Sequence, residues 1–167
     1  MALCILVLLA GCTESPGSPP SEILGKITET LPMGWDIVYP PRNSTSVYES
    51  FKPWLQEKCE TRIKKASGNE SKTLDMSIVV FSSPLVAERF VEKMMAENPG
   101  YDSGIGGLPS GYKCFGVRQD KRMGRSELRE LSLCRNKNVV VVLEALGNLD
   151  EVLSTQMMGK ILVLMGK

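Results

Sequence analysis

The residues able to do chemistry in this 167-residue chain are set first by what is missing: it contains no histidine. That removes the commonest general base, the Ser-His and Cys-His nucleophile pairs and every imidazole metal site. An enzyme would have to work with Asp, Glu, Ser or Lys, and the chain also holds 5 cysteines. Cys12 closes an apolar run, Ala2 to Ala10, and opens a polar one, Thr13-Glu-Ser-Pro. Cys59, Cys114 and Cys134 lie far apart, with no Cys-x-x-Cys pair, so a zinc site has no ligand set and no cofactor is implied. Asp and Glu can cleave glycosides without histidine, but no pair is marked by its spacing. A His-independent hydrolase should place two carboxylates in one cleft, whereas an apolar, carboxylate-free cleft would favour a binding module.

Leu9-Ala10-Gly11-Cys12 resembles the lipobox of prokaryotic lipoproteins, an aliphatic residue and two small ones before a cysteine. The run before it is too short to span a bilayer, which takes ~20 apolar residues, and has the length of a signal-peptide core. The resemblance implies cleavage before Cys12, lipid on its thiol and an extracytoplasmic domain anchored to the cell membrane. The expected organisation is a signal peptide over 1–11, a lipidated cysteine and Pro/Ser/Gly tether over 12–21, and one globular domain over 22–167. Asn43-Ser-Thr and Asn69-Glu-Ser match the glycosylation triplet in expected loops. Together with the lipobox, Asn43 and Asn69 would suit an archaeal surface.

The elements that must position these residues follow from periodicity. Ile23, Leu24, Ile27 and Leu31 predict a short amphipathic helix capped by Ser21, and Gly34 to Tyr39 predicts a strand stopped by Pro40-Pro41. Residues 44–58 stay open between a helix and a Pro53-broken segment. Cys59 to Ile63 and Leu74 to Val80 alternate around Ala66 to Ser71 and predict a hairpin. Ser83-Pro84 starts a helix whose core face is Val86, Ala87, Phe90, Val91, Met94 and Met95, ended by Asn98-Pro99-Gly100. The glycine-rich stretch 100–111 follows a helix and leads to a strand, the wrong order for a phosphate loop.

Strands over Tyr112 to Val117, Leu128 to Cys134 and Val139 to Leu146 complete a meander, the last apolar enough for the sheet centre. Asn148 should cap a final helix bearing Leu149, Val152, Leu153, Met157, Ile161, Leu164 and Met165. The fold class is therefore α+β: an antiparallel sheet of about five or six strands covered on one face by two or three helices. Cys114 and Cys134, in neighbouring strands of an exported domain, are the expected disulfide. Register argues against it, since tight pairing around 119–125 would set Cys114 opposite about residue 130.

Ile78-Val-Val-Phe-Ser-Ser-Pro84, Ala87, Phe90, Gly104-Ile-Gly-Gly107 and Val139 to Leu143 resemble a poorly characterised class of prokaryotic surface lipoprotein domains. That resemblance implies a fold and no activity. Arg118, Lys121, Arg122 and Arg125 form the local basic patch, a solvated hairpin tip or a contact for an anionic polymer or headgroup. A net charge of +1 gives no global attraction to nucleic acid. The expected function is a tethered binding or accessory module, its partners the membrane through Cys12 and a surface protein or small ligand. The alternative is a hydrolase using Asp or Glu.

Overall fold

The structure, a computed structural model, describes residues 17–67, 70–102, 111–119, 129–147 and 151–166. Its elements in chain order are helix α1 (Pro20–Glu29), strand β1 (Asp36–Asn43), a 3-10 turn (Glu49–Trp54), β2 (Leu55–Ser67), β3 (Glu70–Phe81), helix α2 (Pro84–Glu97), β4 (Tyr101–Asp102), β5 (Lys113–Gln119), β6 (Arg129–Asn136), β7 (Val139–Leu146) and helix α3 (Glu151–Met165). The strands form one sheet in the order β1-β2-β3-β7-β6-β5-β4. Every neighbouring pair is antiparallel. The expected α+β class and antiparallel sheet are observed, with six long strands and the two-residue β4.

The helical cover differs from the expected single face. α1 and α3 pack Ile23, Leu24, Ile27, Met157, Met158, Ile161 and Leu162 against Ile63, Leu74, Met76, Ile78, Val141 and Leu143. α2 and the 3-10 turn pack Phe51, Ala87, Phe90 and Val91 against the opposite face, onto Val79, Phe81, Leu131, Leu133, Val140 and Val142. The physical reason is β7: with Val139 to Leu143 all buried, neither face of this central strand can meet water. β3 ends in Ile78-Val79-Val80-Phe81, also buried on both sides. A sheet centre apolar on both faces needs a helical layer on each.

Two boundaries are also corrected. β1 runs through Pro40-Pro41 to Asn43 instead of stopping at Tyr39. It is an edge strand with register shifts between Ile37 and Tyr39 and between Tyr39 and Arg42, so prolines there remove no central ladder bond. α1 begins at Pro20 behind Pro19, with no side-chain cap, and not after Ser21. Pro20 fits the first turn, where the missing N–H has no helical partner. Pro20 and Ser21, expected in the tether, lie in α1.

α2 starts as expected: the Ser83 hydroxyl accepts from the Val86 N–H at 3.3 Å, with Pro84 in the first turn. Its far end is pinned to the sheet. The Asn98 amide donates to the Met94 carbonyl, while Arg129 donates to Asn98 Oδ1, both at 2.8 Å. Gly100 follows because the chain passes close to β5: a Cβ there would lie 2.5 Å from the Arg118 carbonyl oxygen and from Val117 Cγ1.

Candidate functional site

α2 covers only part of its face of the sheet. The remainder is the floor of a cleft of about 580 Å³, walled by Val47 and Tyr48 on one side and by Phe90 and Met94 of α2 on another. The strand register lays the floor out as a grid. Lys58 lies beside Val79 and Val140; Arg42, Glu60, Ser77 and Val142 form the next row. Tyr39, Arg62, Asp75 and Glu144 form the third. Along β3 and β7 the floor thus changes from apolar to charged over two steps, while β2 presents a charge in every row.

Wall and floor are tied together by named contacts. Lys58 Nζ donates to the Ser46 carbonyl at 2.7 Å and lies 2.9 Å from Glu60 Oε2. That holds the 44–48 segment over β2. Tyr48 stacks obliquely on Phe90 at 5.8 Å, inside an aromatic cluster with Phe51 and Phe81. Lys93 lies 5.0 Å from the Tyr48 ring centre. Burial, then the hydrogen bond to Glu97, push Tyr48 up to about 12.

Each lining charge already has an opposite partner. Arg62 holds Asp75 with two parallel bonds, Nε to Oδ1 at 2.5 Å and Nη2 to Oδ2 at 2.7 Å. Arg42 reaches Glu60 at 3.1 Å and stacks on Tyr39 at 4.1 Å. Glu144 accepts from Arg129 Nε at 2.7 Å; Arg129 comes from behind the lining. The register sets Asp75 directly across from Glu144. Like charges in that position repel, and the outer partners Arg62 and Arg129 offset the repulsion. Burial raises the Glu60 carboxyl, but Lys58 and Arg42 outweigh it and hold the group below its ordinary range. The Asp75 bond raises Arg62 above its usual pKa.

The residues singled out in the sequence fall elsewhere. Cys114 and Cys134 lie directly opposite in β5 and β6, with Cα atoms 4.1 Å apart and sulfurs joined at 2.02 Å. The register objection fails because Gln119 pairs with Arg129, and that register brings Cys114 opposite Cys134. Cys59 is free and buried, and burial raises its thiol pKa. Asn43 is the exposed last residue of β1, not a loop residue. Arg118 is the next-to-last residue of β5, 3.4 Å from Glu130. Cys12, Asn69, Lys121, Arg122, Arg125, Asn148 and Leu149 lie outside the described residues. Among the described residues no group of three or more Cys, Asp or Glu is placed to hold a metal ion.

Sequence reasoning assigned no role to the cleft. Its signal was present as the polar alternation Lys58, Glu60, Arg62 and Asp75, Ser77, indistinguishable from a solvated hairpin face until α2 and the 44–48 segment are placed above it.

No protein-family model matches the chain. No curated protein matches it in sequence. The fold is similar to the crystal structure of the extracellular domain of PknH from Mycobacterium tuberculosis, at 14% identity and a TM-score of 0.51, over 87% of this chain and 90% of that one. At that identity the likeness shows the fold.

Proposed function

We propose that the chain is a lipid-anchored extracytoplasmic domain that binds a ligand in the cleft between α2 and the 44–48 segment. The observation that carries the binding reading is the engagement of every cleft carboxylate. Glu60, Asp75 and Glu144 all face one cleft, as the hydrolase alternative requires. A glycosidase, however, needs one carboxylic acid whose pKa is raised so that it can protonate a leaving group. Glu60 is held low by Lys58 and Arg42, and Asp75 is clamped by both arms of Arg62. Glu60, so held, accepts hydrogen bonds and does not deliver a proton, and both Asp75 oxygens are already engaged by Arg62.

The export reading is supported by the lipobox at Leu9 to Cys12, by the Cys114–Cys134 bond, of a kind that persists in oxidising compartments, and by the likeness to a domain that is itself extracellular. Asn43 is exposed and open to a glycan; lipid on Cys12 supplies the membrane affinity.

The test is cell fractionation of wild type and Cys12→Ser, with external protease added to intact cells after wall removal. The expected result is wild type in the membrane fraction and open to protease, with Cys12→Ser released or left unprocessed at higher mass. Wild type in the cytosol and protected from protease would overturn the assignment.

A further inference from the structure

Resting on the reading of the cleft as a binding site, we infer that its ligand is an amphiphile with an uncharged, polyhydroxylated head and a short apolar part. The head faces the Arg62–Asp75–Glu144 row, and the apolar part lies along Val79, Val142, Phe90 and Met94.

The lining holds three cations, Arg42, Lys58 and Arg62, and three carboxylates, Glu60, Asp75 and Glu144. Each is within 3.1 Å of a partner of opposite sign. A ligand with a net charge has to break one of these pairs or sit beside a repelling neighbour. Removing one member of a partly buried pair leaves the other uncompensated, which costs more than the pair itself contributes. An uncharged head needs no such exchange.

The hydrogen-bonding capacity left over is of two kinds in alternation. Glu144 uses Oε1 for Arg129, which leaves Oε2 able to accept. Arg42 commits Nη2 and Arg62 commits Nε and Nη2, leaving further N–H donors on each guanidinium. The Ser77 hydroxyl sits between them in the grid, half-buried and with no side-chain bond among the described residues. A hydroxyl both donates and accepts, so adjacent hydroxyls on one ring meet adjacent donors and acceptors on one floor. Ammonium offers donors alone, and sulfate or carboxylate offers acceptors alone.

The apolar half follows from the same grid. Two residues along β3 and β7 from Asp75 and Glu144 the floor becomes Ser77 and Val142, then Val79 on β3, with Phe90 and Met94 in the wall. A volume near 580 Å³ is that of a site for a small molecule of a few tens of atoms.

The test holds the apolar part constant and varies the head. The mature chain from residue 12 carrying Cys12→Ser, which keeps every described residue, is titrated with octyl glucoside, octyl sulfate and octylammonium below their micelle concentrations. Amide shifts in ¹⁵N–¹H spectra locate each probe. The expected result is shifts at Ser77, Val79, Phe90 and Val142, with octyl glucoside binding about tenfold more tightly than either charged probe. Methyl glucoside, lacking the chain, should bind more weakly than octyl glucoside. Glu60→Gln, which frees Arg42 and Lys58, should reverse the order of glucoside and sulfate. A charged probe binding the wild-type cleft as tightly as the glucoside would overturn the ligand class while leaving the cleft a binding site. A second, apolar groove lies between α1 and α3, lined by Ile27, Val163 and Leu164; shifts confined to it, or none at the cleft with any probe, would overturn both readings.

Discussion

Tyr48 joins the wall of the cleft to α2 through two unlike ends. Its ring packs on Phe90 and Phe51, and its hydroxyl donates to Glu97. Both effects favour the neutral phenol, so the folded pKa rises from 10.0 to about 12. A raised pKa means the folded chain binds the proton more tightly than the unfolded one. The resulting stability is complete below about pH 10 and is lost as pH climbs through the folded value. Denaturant midpoints measured from pH 9 to 12 should fall more steeply for wild type than for Tyr48→Phe; parallel slopes would contradict the assignment. Glu60 acts in the opposite direction. Its lowered pKa contributes stability above the ordinary 4.5, lost as pH falls through the folded value. Glu60→Gln should flatten the acid limb of the same curve. The sequence makes Glu60 and Arg62 visible as polar positions of a hairpin. It does not show that Glu144, the single charge within Val139–Leu146, lies across from Asp75. That depends on the β3–β7 register, a contact between residues about 70 apart.

At the scale of elements, alternation and caps carry most of the legible information. The β2–β3 hairpin, the Ser83-Pro84 start of α2 and the β6–β7 hairpin each follow from local patterns whose physics is local. Long-range pairing overrides such patterns elsewhere. β1 survives its two prolines because its outer edge has no partner strand among the described residues, and the β5–β6 register sets Gln119 against Arg129, which no local pattern shows. Two measurements probe these pairings. The Cys114–Cys134 bond closes a separation of 20 residues, so replacing both cysteines by serine should cost ~3 kcal/mol on loop-closure entropy. Non-reducing peptide maps should recover the linked pair, with Cys59 the free thiol among the three cysteines of the described residues; Cys59 linked to either would contradict the pairing. At the β3–β7 corner, the buried Asn138 amide donates to the Phe81 carbonyl at 2.8 Å, and the Phe81 N–H donates to the Asn138 carbonyl at 2.9 Å. Asn138→Ala strands the Phe81 carbonyl and should destabilise by about 1–3 kcal/mol. Asn138→Asp, which keeps the size but replaces the donating amide with an acceptor-only carboxylate, should destabilise at least as much. A loss below the lower figure for Asn138→Ala would mean that water reaches the carbonyl.

For the molecule as a whole, the two helical layers unequally divide the work of closing the sheet. Among the described residues α1 and α3 pack an apolar layer on one face, while α2 leaves part of the other face as the cleft. α1 is therefore a structural part of the domain and not the end of a tether, even though it comes directly after the proline-rich stretch. Pro20 is buried, and Ile23, Leu24 and Ile27 are 1% exposed or less. A chain starting at residue 22 loses the first helical turn: the Glu22 and Ile23 amides no longer find the Pro19 carbonyl, at 3.0 and 3.1 Å, and the Pro20 contact is gone. Burying an apolar side chain contributes about 1.5–3 kcal/mol, so losing Pro20 with part of the turn should cost on the order of 1–2 kcal/mol. Fragments 17–167 and 22–167 should both unfold cooperatively, since the sheet and both cores persist, with the shorter one melting several degrees lower. Equal melting temperatures would place the domain boundary at residue 22 and make the first turn of α1 dispensable. A fragment 17–167 without a cooperative transition would show that the domain needs residues before Gly17 to close its core.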